Sequence, residues 1–259
     1  MEDIAAHRAA EWLLAEHRAG HRFQTLSPPA ATVADAYDIQ DKYVALLAYE
    51  NGEPAGYKVG LTSATMQAFC RIDHPIAGVV LASCVHRSPA SARRADFGRL
   101  GLEFEIAVRI KSHIPVTDKP FTAEAIAPHI DGVCAAIELV DDRAADYANL
   151  DVRSLVADNS WNSGVVLSEF SSTWPDLAPL LGRATKDGDL IGEGYGRDIL
   201  GHPFNSAAWL ATHLAARGTA LKAGQIVMTG SVMKTIFPEH DARYRFDLEG
   251  LGSVEVQVS

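Results

Sequence analysis

Apolar residues in the first fifty positions recur at helical spacing. Ile4, Ala5, Ala9, Trp12 and Leu13 form one stripe, and Leu26-Ser27-Pro28-Pro29 interrupts it. A second helix is expected from about Thr32. There Thr32 and Asp35 make an approximate capping box, and Val33, Tyr37, Tyr43, Val44 and Leu47 supply the apolar face. Gly52 follows its end, as glycine commonly does at a helix C-terminus. From Gly56 onward the pattern changes to short apolar runs separated by Gly, Pro and Asp. Runs 57–61, 78–81, 103–110, 134–140, 164–167, 225–229 and 243–248 read as strands. Helices are expected near 122–130, capped by Thr122, and near 206–217, capped by Ser206 and stopped by Gly218. Strands that do not alternate strictly with helices predict an α+β or mainly-β core. The turn Asn51-Gly52-Glu53-Pro54 is the boundary candidate, dividing a helical region 1–52 from a β-rich region 53–259.

Two of these strands carry charge inside apolar runs. In Gly101-Leu102-Glu103-Phe104-Glu105-Ile106-Ala107-Val108, alternation puts Glu103 and Glu105 on one face and Phe104, Ile106 and Val108 on the other. Like charges so close raise one another's pKa unless something positive lies between them. The run Ala135–Val140 carries Glu138 in its middle, where a lone carboxylate needs a partner. Two readings fit. Glu103 and Glu105 lie on a solvated strand face while Glu138 pairs with a Lys or Arg, or all three hold one Mg²⁺ or Mn²⁺ and leave positions open for water and substrate.

The chain has 259 residues, enough for a sizeable core, and a formal net charge of −10. That charge argues against a nucleic-acid or anionic-membrane partner. No apolar run is long enough to span a bilayer, and Met1-Glu2-Asp3-Ile4 lacks the basic-then-apolar order of a signal peptide. Cys70, Cys84 and Cys134 are odd in number and form no C-x-x-C, which fits a reduced, cytoplasmic setting with buried thiols.

Lys58 sits inside Gly56-Tyr57-Lys58-Val59-Gly60-Leu61-Thr62-Ser63. It either snorkels from a strand edge or works, partly desolvated, on a substrate carboxylate or a proton. The polar cluster Ala157–Gly164 is a substrate loop or an Asx turn, and Thr229-Gly230-Ser231 is an anion-binding strand end or an ordinary turn. The ten histidines form no zinc spacing, and Gly192-Glu193-Gly194-Tyr195-Gly196 lacks the setting of a phosphate cradle.

Taken in order, G-Y-K-V-G-L-T-S at 56–63, L-E-F-E-I-A at 102–107, I-E-L-V-D-D-R at 137–143, A-D-N-S-W-N-S-G-V-V-L at 157–167 and T-G-S at 229–231 carry a resemblance over nearly the whole chain. They resemble the 2-keto-4-pentenoate hydratase and 4-oxalocrotonate decarboxylase family of the fumarylacetoacetate hydrolase superfamily. The resemblance implies an α+β fold, with a helical N-terminal region followed by a twisted mixed β-roll. It implies a Mg²⁺ or Mn²⁺ ion held by Glu103, Glu105 and Glu138, and a working lysine at Lys58. Leu61, Ser160 and Ser231 are then expected to orient the substrate, a short keto or dienoate acid. The implied activity is a lyase that hydrates a 2-hydroxy-2,4-dienoate, in a homo-oligomer serving aromatic catabolism. One departure matters. Pro75-Ile76-Ala77-Gly78 has Ile76 where hydratases of this family carry an acid, which keeps decarboxylation as the alternative. A degenerate keto-acid-binding or partner subunit is a further alternative. Lys234, after the T-G-S motif, is a candidate to face a second substrate carboxylate.

Overall fold

The computed structural model describes residues 3–259; Met1 and Glu2, the first two residues of the expected helical region, lie outside the described residues. Helix α1 (Asp3–Arg18) buries Ala6, Ala10 and Leu13, and α2 (Val33–Asn51) follows after the proline break. The capping box forms as read. Thr32 Oγ1 accepts the Asp35 N–H at 3.1 Å, and the Asp35 carboxylate accepts the Thr32 N–H at 2.9 Å.

Beyond α2, β1 (Pro54–Gly60), α3 (Ala64–Phe69), β2 (Ile76–Leu81), β3 (Val85–Arg87) and β4 (Ala90–Ala92) lead to the long strand β5 (Leu100–Ile110). Then come α4 (Ala123–Ile126), β6 (Ile130–Asp141), α5 (Val152–Ala157), β7 (Asn162–Leu167), β8 (Leu181–Lys186) and β9 (Asp189–Tyr195). The chain ends with α6 (Pro203–Ala216), β10 (Ile226–Ser231), β11 (Ala242–Leu248) and β12 (Gly252–Val258). A mixed seven-stranded sheet runs β2-β1-β10-β5-β6-β7-β3 and a five-stranded sheet runs β4-β12-β11-β8-β9. This is the expected α+β roll, open rather than closed into a barrel. The apolar face of β5 (Phe104, Ile106, Val108) lies in one continuous core with side chains of β11, β12, α1 and α2.

Two helix limits differ from the sequence reading. The helix expected over 122–130 stops at Ile126 and continues as a 3₁₀ turn, Ala127–His129, because Pro128 has no N–H to donate. Helix α6 begins at Pro203 rather than Ser206. His202 is its cap, with Nδ1 accepting the Phe204 N–H at 3.0 Å, and Pro203 takes the first helical position. Ser206 is instead fully buried inside the helix. The glycine-rich run 192–196 belongs largely to β9, where Gly194 lies against the Val232 backbone.

The outer edge of β2 is saturated by side chains, which ties the helices to the sheet. Tyr37 Oη accepts the Ala77 N–H at 2.9 Å, and Gln40 donates to the Ala77 carbonyl at 2.9 Å. Asn159 holds Val79 from both sides, accepting its N–H at 2.7 Å and donating to its carbonyl at 2.9 Å. Asn159, Ser160 and Trp161 all have left-handed backbone (φ 50°, 51° and 59°), a run that persists only where its surroundings over-determine it. Asp158 anchors the start of that run, accepting from Arg143 Nη2 at 2.5 Å and meeting His17 Nε2 at 2.6 Å.

His213 on α6 lies 4.4 Å from the Tyr37 ring and stacks on Trp209. Burial, with the Arg217 charge adding to it, pushes its pKa down to about 4. The neutral ring is therefore favoured in the fold. Its contribution is fully present above the ordinary histidine pKa and is lost as pH falls toward 4. Relative to His213→Phe, the protein is expected to lose about 3 kcal/mol of stability between about pH 7 and about pH 4. Urea unfolding of both proteins across that range checks this, and equal acid limbs would refute it.

Candidate active site

Glu103 and Glu138 stand directly opposite each other on the antiparallel pair β5–β6, and Glu105 follows on the same face opposite Ala136. Like charges in register destabilise a sheet on their own. Each carboxylate is fixed through one oxygen. Thr235 Oγ1 donates to Glu103 Oε1 at 2.6 Å, the Gly230 N–H to Glu105 Oε2 at 2.8 Å, and Asn162 Nδ2 to Glu138 Oε1 at 2.8 Å. One oxygen from each of the three lies within 4.8 Å of the others. Glu105 and Glu138 are fully buried, and Glu105 Oε1 and Glu138 Oε2 make no hydrogen bond. Burial, reinforced by the neighbouring carboxylates, raises Glu105 well above its ordinary range. Burial likewise lifts Glu138, against the pull of Lys58, to about 7. Hard oxygen donors, converging and short of positive charge, fit a Mg²⁺-like divalent cation.

Lys58 projects from β1 toward this cluster, its Nζ 3.3 Å from Glu138 Oε2. The residue is 5% exposed, so it does not snorkel to solvent. Burial alone lowers an ammonium pKa, but the Glu138, Glu103 and Glu105 charges outweigh it and hold Lys58 above its ordinary value. Gly78 is its cross-strand partner on β2, and a Cβ there would meet the Asn159 carbonyl at 2.5 Å and Lys58 Cγ at 3.1 Å. Gly78→Ala is therefore expected to destabilise the fold by about 1–3 kcal/mol and to displace the lysine. Thermal melts and turnover should both fall, and a normal melt with normal turnover would refute this close approach. Ile76, 1% exposed, flanks the same point. A Cβ on Gly60 would lie 3.2 Å from Lys58 Nζ and 3.4 Å from Ile76 Cγ1.

The remaining expected residues surround the cluster without all facing it through their side chains. Leu61 follows β1 in a left-handed conformation (φ 55°), with its carbonyl accepting from Gln67 at 2.9 Å. Ser231 pairs in register with Glu105, but its hydroxyl bonds the Phe104 backbone. The Ser160 hydroxyl donates to the Ala77 carbonyl at 2.9 Å and so braces β2. Lys234 is exposed. The sequence reading did not assign Asn162, Thr235 or the Gly230 N–H, the three groups that aim the glutamates. Two lie in motifs it quoted, but a donor's target is set by cross-strand register, which one strand alone does not reveal.

The model for the fumarylacetoacetate (FAA) hydrolase C-terminal family matches residues 64–259. The chain belongs to that family. A 2-keto-4-pentenoate hydratase of Paraburkholderia phymatum is 32% identical over 245 residues, covering 91% of this chain and 92% of its own. A 2-oxo-hept-4-ene-1,7-dioate hydratase of Escherichia coli is 29% identical, with 89% and 88% covered. Among solved structures, the 4-oxalocrotonate decarboxylase of Pseudomonas putida G7, complexed with magnesium and adipate, superposes with a TM-score of 0.92. It is 26% identical over 100% of this chain and 99% of that one. The same decarboxylase is also known with calcium and acetate.

Proposed function

We propose that this protein is a metal-dependent lyase that hydrates a 2-hydroxy-2,4-dienoate of the 2-keto-4-pentenoate type to a 4-hydroxy-2-keto acid. The observation that carries this reading is the convergence of three carboxylates beside one buried lysine. Glu103, Glu105 and Glu138 would hold Mg²⁺ or Mn²⁺. That ion, when bound, supplies Lewis-acid stabilisation of negative charge on the substrate's 2-oxygen. Lys58 holds the anionic head of the substrate and carries a proton between oxygen and carbon as the dienol becomes the unsaturated ketone. Water then adds to the remote carbon of the double bond. Thr235, Asn162 and the Gly230 N–H keep the carboxylates aimed, as outer partners of a metal site do. The Leu61 backbone and the strand end at Ser231 border the substrate, and Ser160 acts by bracing β2.

The decarboxylase reading is favoured by Ile76. An apolar wall beside the Lys58 amine offers no second proton-transfer group, and loss of CO₂ needs fewer proton steps than tautomerisation plus hydration. Loss of the dienoate ultraviolet absorbance with and without Mg²⁺, followed by product mass, separates the outcomes. Water gained supports the hydratase, CO₂ lost supports the decarboxylase, and an unchanged chromophore supports a non-catalytic keto-acid-binding or partner subunit.

We place the protein in the cytoplasm. Among the described residues no helix is long and apolar enough to cross a membrane. We also propose a homo-oligomer, with the helical segment 1–52 as a buttress to the catalytic region 53–259. Light scattering that gives a 27.9 kDa particle at micromolar concentration would refute the oligomer.

A further inference from the structure

The segment from Asp158 to Asn162 joins the two sides of the candidate site. Asn159 and Ser160 bond the backbone of β2 on either side of Gly78. Asn159 clasps Val79 through both amide atoms, at 2.7 and 2.9 Å, and the Ser160 hydroxyl donates to the Ala77 carbonyl at 2.9 Å. The space over Gly78 is shared. A Cβ there would meet the Asn159 carbonyl at 2.5 Å and Lys58 Cγ at 3.1 Å, so the Asn159 backbone and the Lys58 stem crowd one point. Gly78 is also the cross-strand partner of Lys58. Three residues further on, Asn162 Nδ2 donates to Glu138 Oε1 at 2.8 Å. The other oxygen of Glu138 lies 3.3 Å from Lys58 Nζ. These contacts close on themselves, running from Lys58 through Gly78, Asn159, Asn162 and Glu138 back to Lys58.

The span that links Asn159 to Asn162 in this circuit is short and held at both ends. Asn159, Ser160 and Trp161 are all left-handed and all buried. Asparagine tolerates that region, whereas serine and a bulky tryptophan adopt it only under constraint from their surroundings. Asp158 supplies the constraint at the start. Its enclosed carboxylate accepts from Arg143 Nη2, just past the end of β6, and meets His17 Nε2 on α1. Asn162 supplies it at the end, where β7 begins in register with Val140 of β6. The side chain of Asn159 is engaged with Val79, and the residue is 3% exposed. Its route to the chemistry is therefore through β2 and Lys58.

We propose that Asn159 is a positioning residue for Lys58, and that by clasping β2 it sets where the Lys58 amine stands relative to Glu138. This rests on the reading of Lys58 as the group that works on the substrate. The two hydrogen bonds to Val79 fix β2 along its own direction, and β2 carries Gly78 against the lysine stem. Release of the clasp frees that edge to shift, and a misplacement of about 1 Å in a working group costs up to roughly 10²-fold in rate. The metal ligands have their own supports in Thr235, Asn162 and the Gly230 N–H, so the loss falls on the lysine rather than on the carboxylates.

The test uses Asn159→Gly, which removes the clasp and keeps a residue at ease in left-handed backbone. At saturating Mg²⁺, kcat on a 2-hydroxy-2,4-dienoate is expected to fall roughly 10–100-fold, with KM and the Mg²⁺ dissociation constant changed by about threefold or less. In a Lys58→Met background the same substitution should lower kcat by about twofold or less, because nothing is left for Asn159 to position. A residue that only supports the fold lowers both backgrounds by the same factor, and that result would overturn the proposal. If Asn159→Gly melts below the assay temperature, Asn159→Asp takes its place. It keeps the acceptor for the Val79 N–H and loses the donor, so kcat should fall about 3–10-fold, the scale of one hydrogen bond, and again only with Lys58 present. A wild type inactive on the dienoate would overturn the hydratase reading instead. The crystal structure of the variant then judges the placement alone. An amine displaced by about 1 Å or more from its contact with Glu138 supports the proposal, and an unmoved amine overturns it.

Discussion

Glu105→Gln is expected to lower Mg²⁺ affinity by roughly 10²-fold or more and to take activity down with it. Losing an outer partner of a metal ligand already costs about 10–100-fold, and Glu105 is proposed as a ligand itself. The same substitution should make the metal-free protein more stable. Glu105 is fully buried, its Oε1 makes no hydrogen bond, and burial together with Glu138 and Glu103 raises its pKa well above the ordinary range. Buried without a cation it opposes folding, because the carboxyl either carries an uncompensated charge or must take up a proton, and the amide removes that opposition. Wild-type protein should therefore gain thermal stability with added Mg²⁺, by mass action, while Glu105→Gln starts higher and gains little. Melting curves at a series of Mg²⁺ concentrations measure both effects. A variant that keeps the full wild-type response to Mg²⁺ is incompatible with Glu105 as a ligand.

The three carboxylates were legible because they break a strong rule. Acidic residues inside apolar strand runs demand an explanation, and period-two alternation fixed which face they share. Strand β5 emerged nearly entire, since Phe104, Ile106 and Val108 repeat without interruption toward the core. The short edge strands β3 and β4 did not, because three residues carry too little periodicity to register. The start of α6 was misplaced because Ser206 looked like a cap, while His202 followed by Pro203 is the stronger start signal. Ser160 shows a different limit. Its motif singled out the loop, but the hydroxyl's partner, the Ala77 carbonyl, is 83 residues away in sequence. The left-handed run at 159–161 is invisible for a similar reason: it is held by β2, not by local glycines.

Lys58→Met should leave the fold and the metal in place and lower kcat by roughly 10²-fold or more, the usual scale for a positioned acid–base group. Lys58 Nζ is an ammonium at neutral pH, held so by the glutamate charges despite complete burial. Two roles predict different results. If it only neutralised the buried carboxylates, a bound divalent cation would make it redundant, and the methionine enzyme saturated with Mg²⁺ would turn over normally. If it carries the proton, saturation with Mg²⁺ restores nothing. Metal affinity separates the roles further, because removing a positive charge 3.3 Å from Glu138 should hold or raise Mg²⁺ binding rather than weaken it. Packing does not blur the result, since methionine matches the lysine stem and Gly78 still leaves room for it. The decisive pair of measurements is therefore kcat at saturating Mg²⁺ and the Mg²⁺ dissociation constant of the same variant. Normal turnover would remove Lys58 from the proton pathway, and weakened metal binding with lowered turnover would recast it as a support for the glutamates.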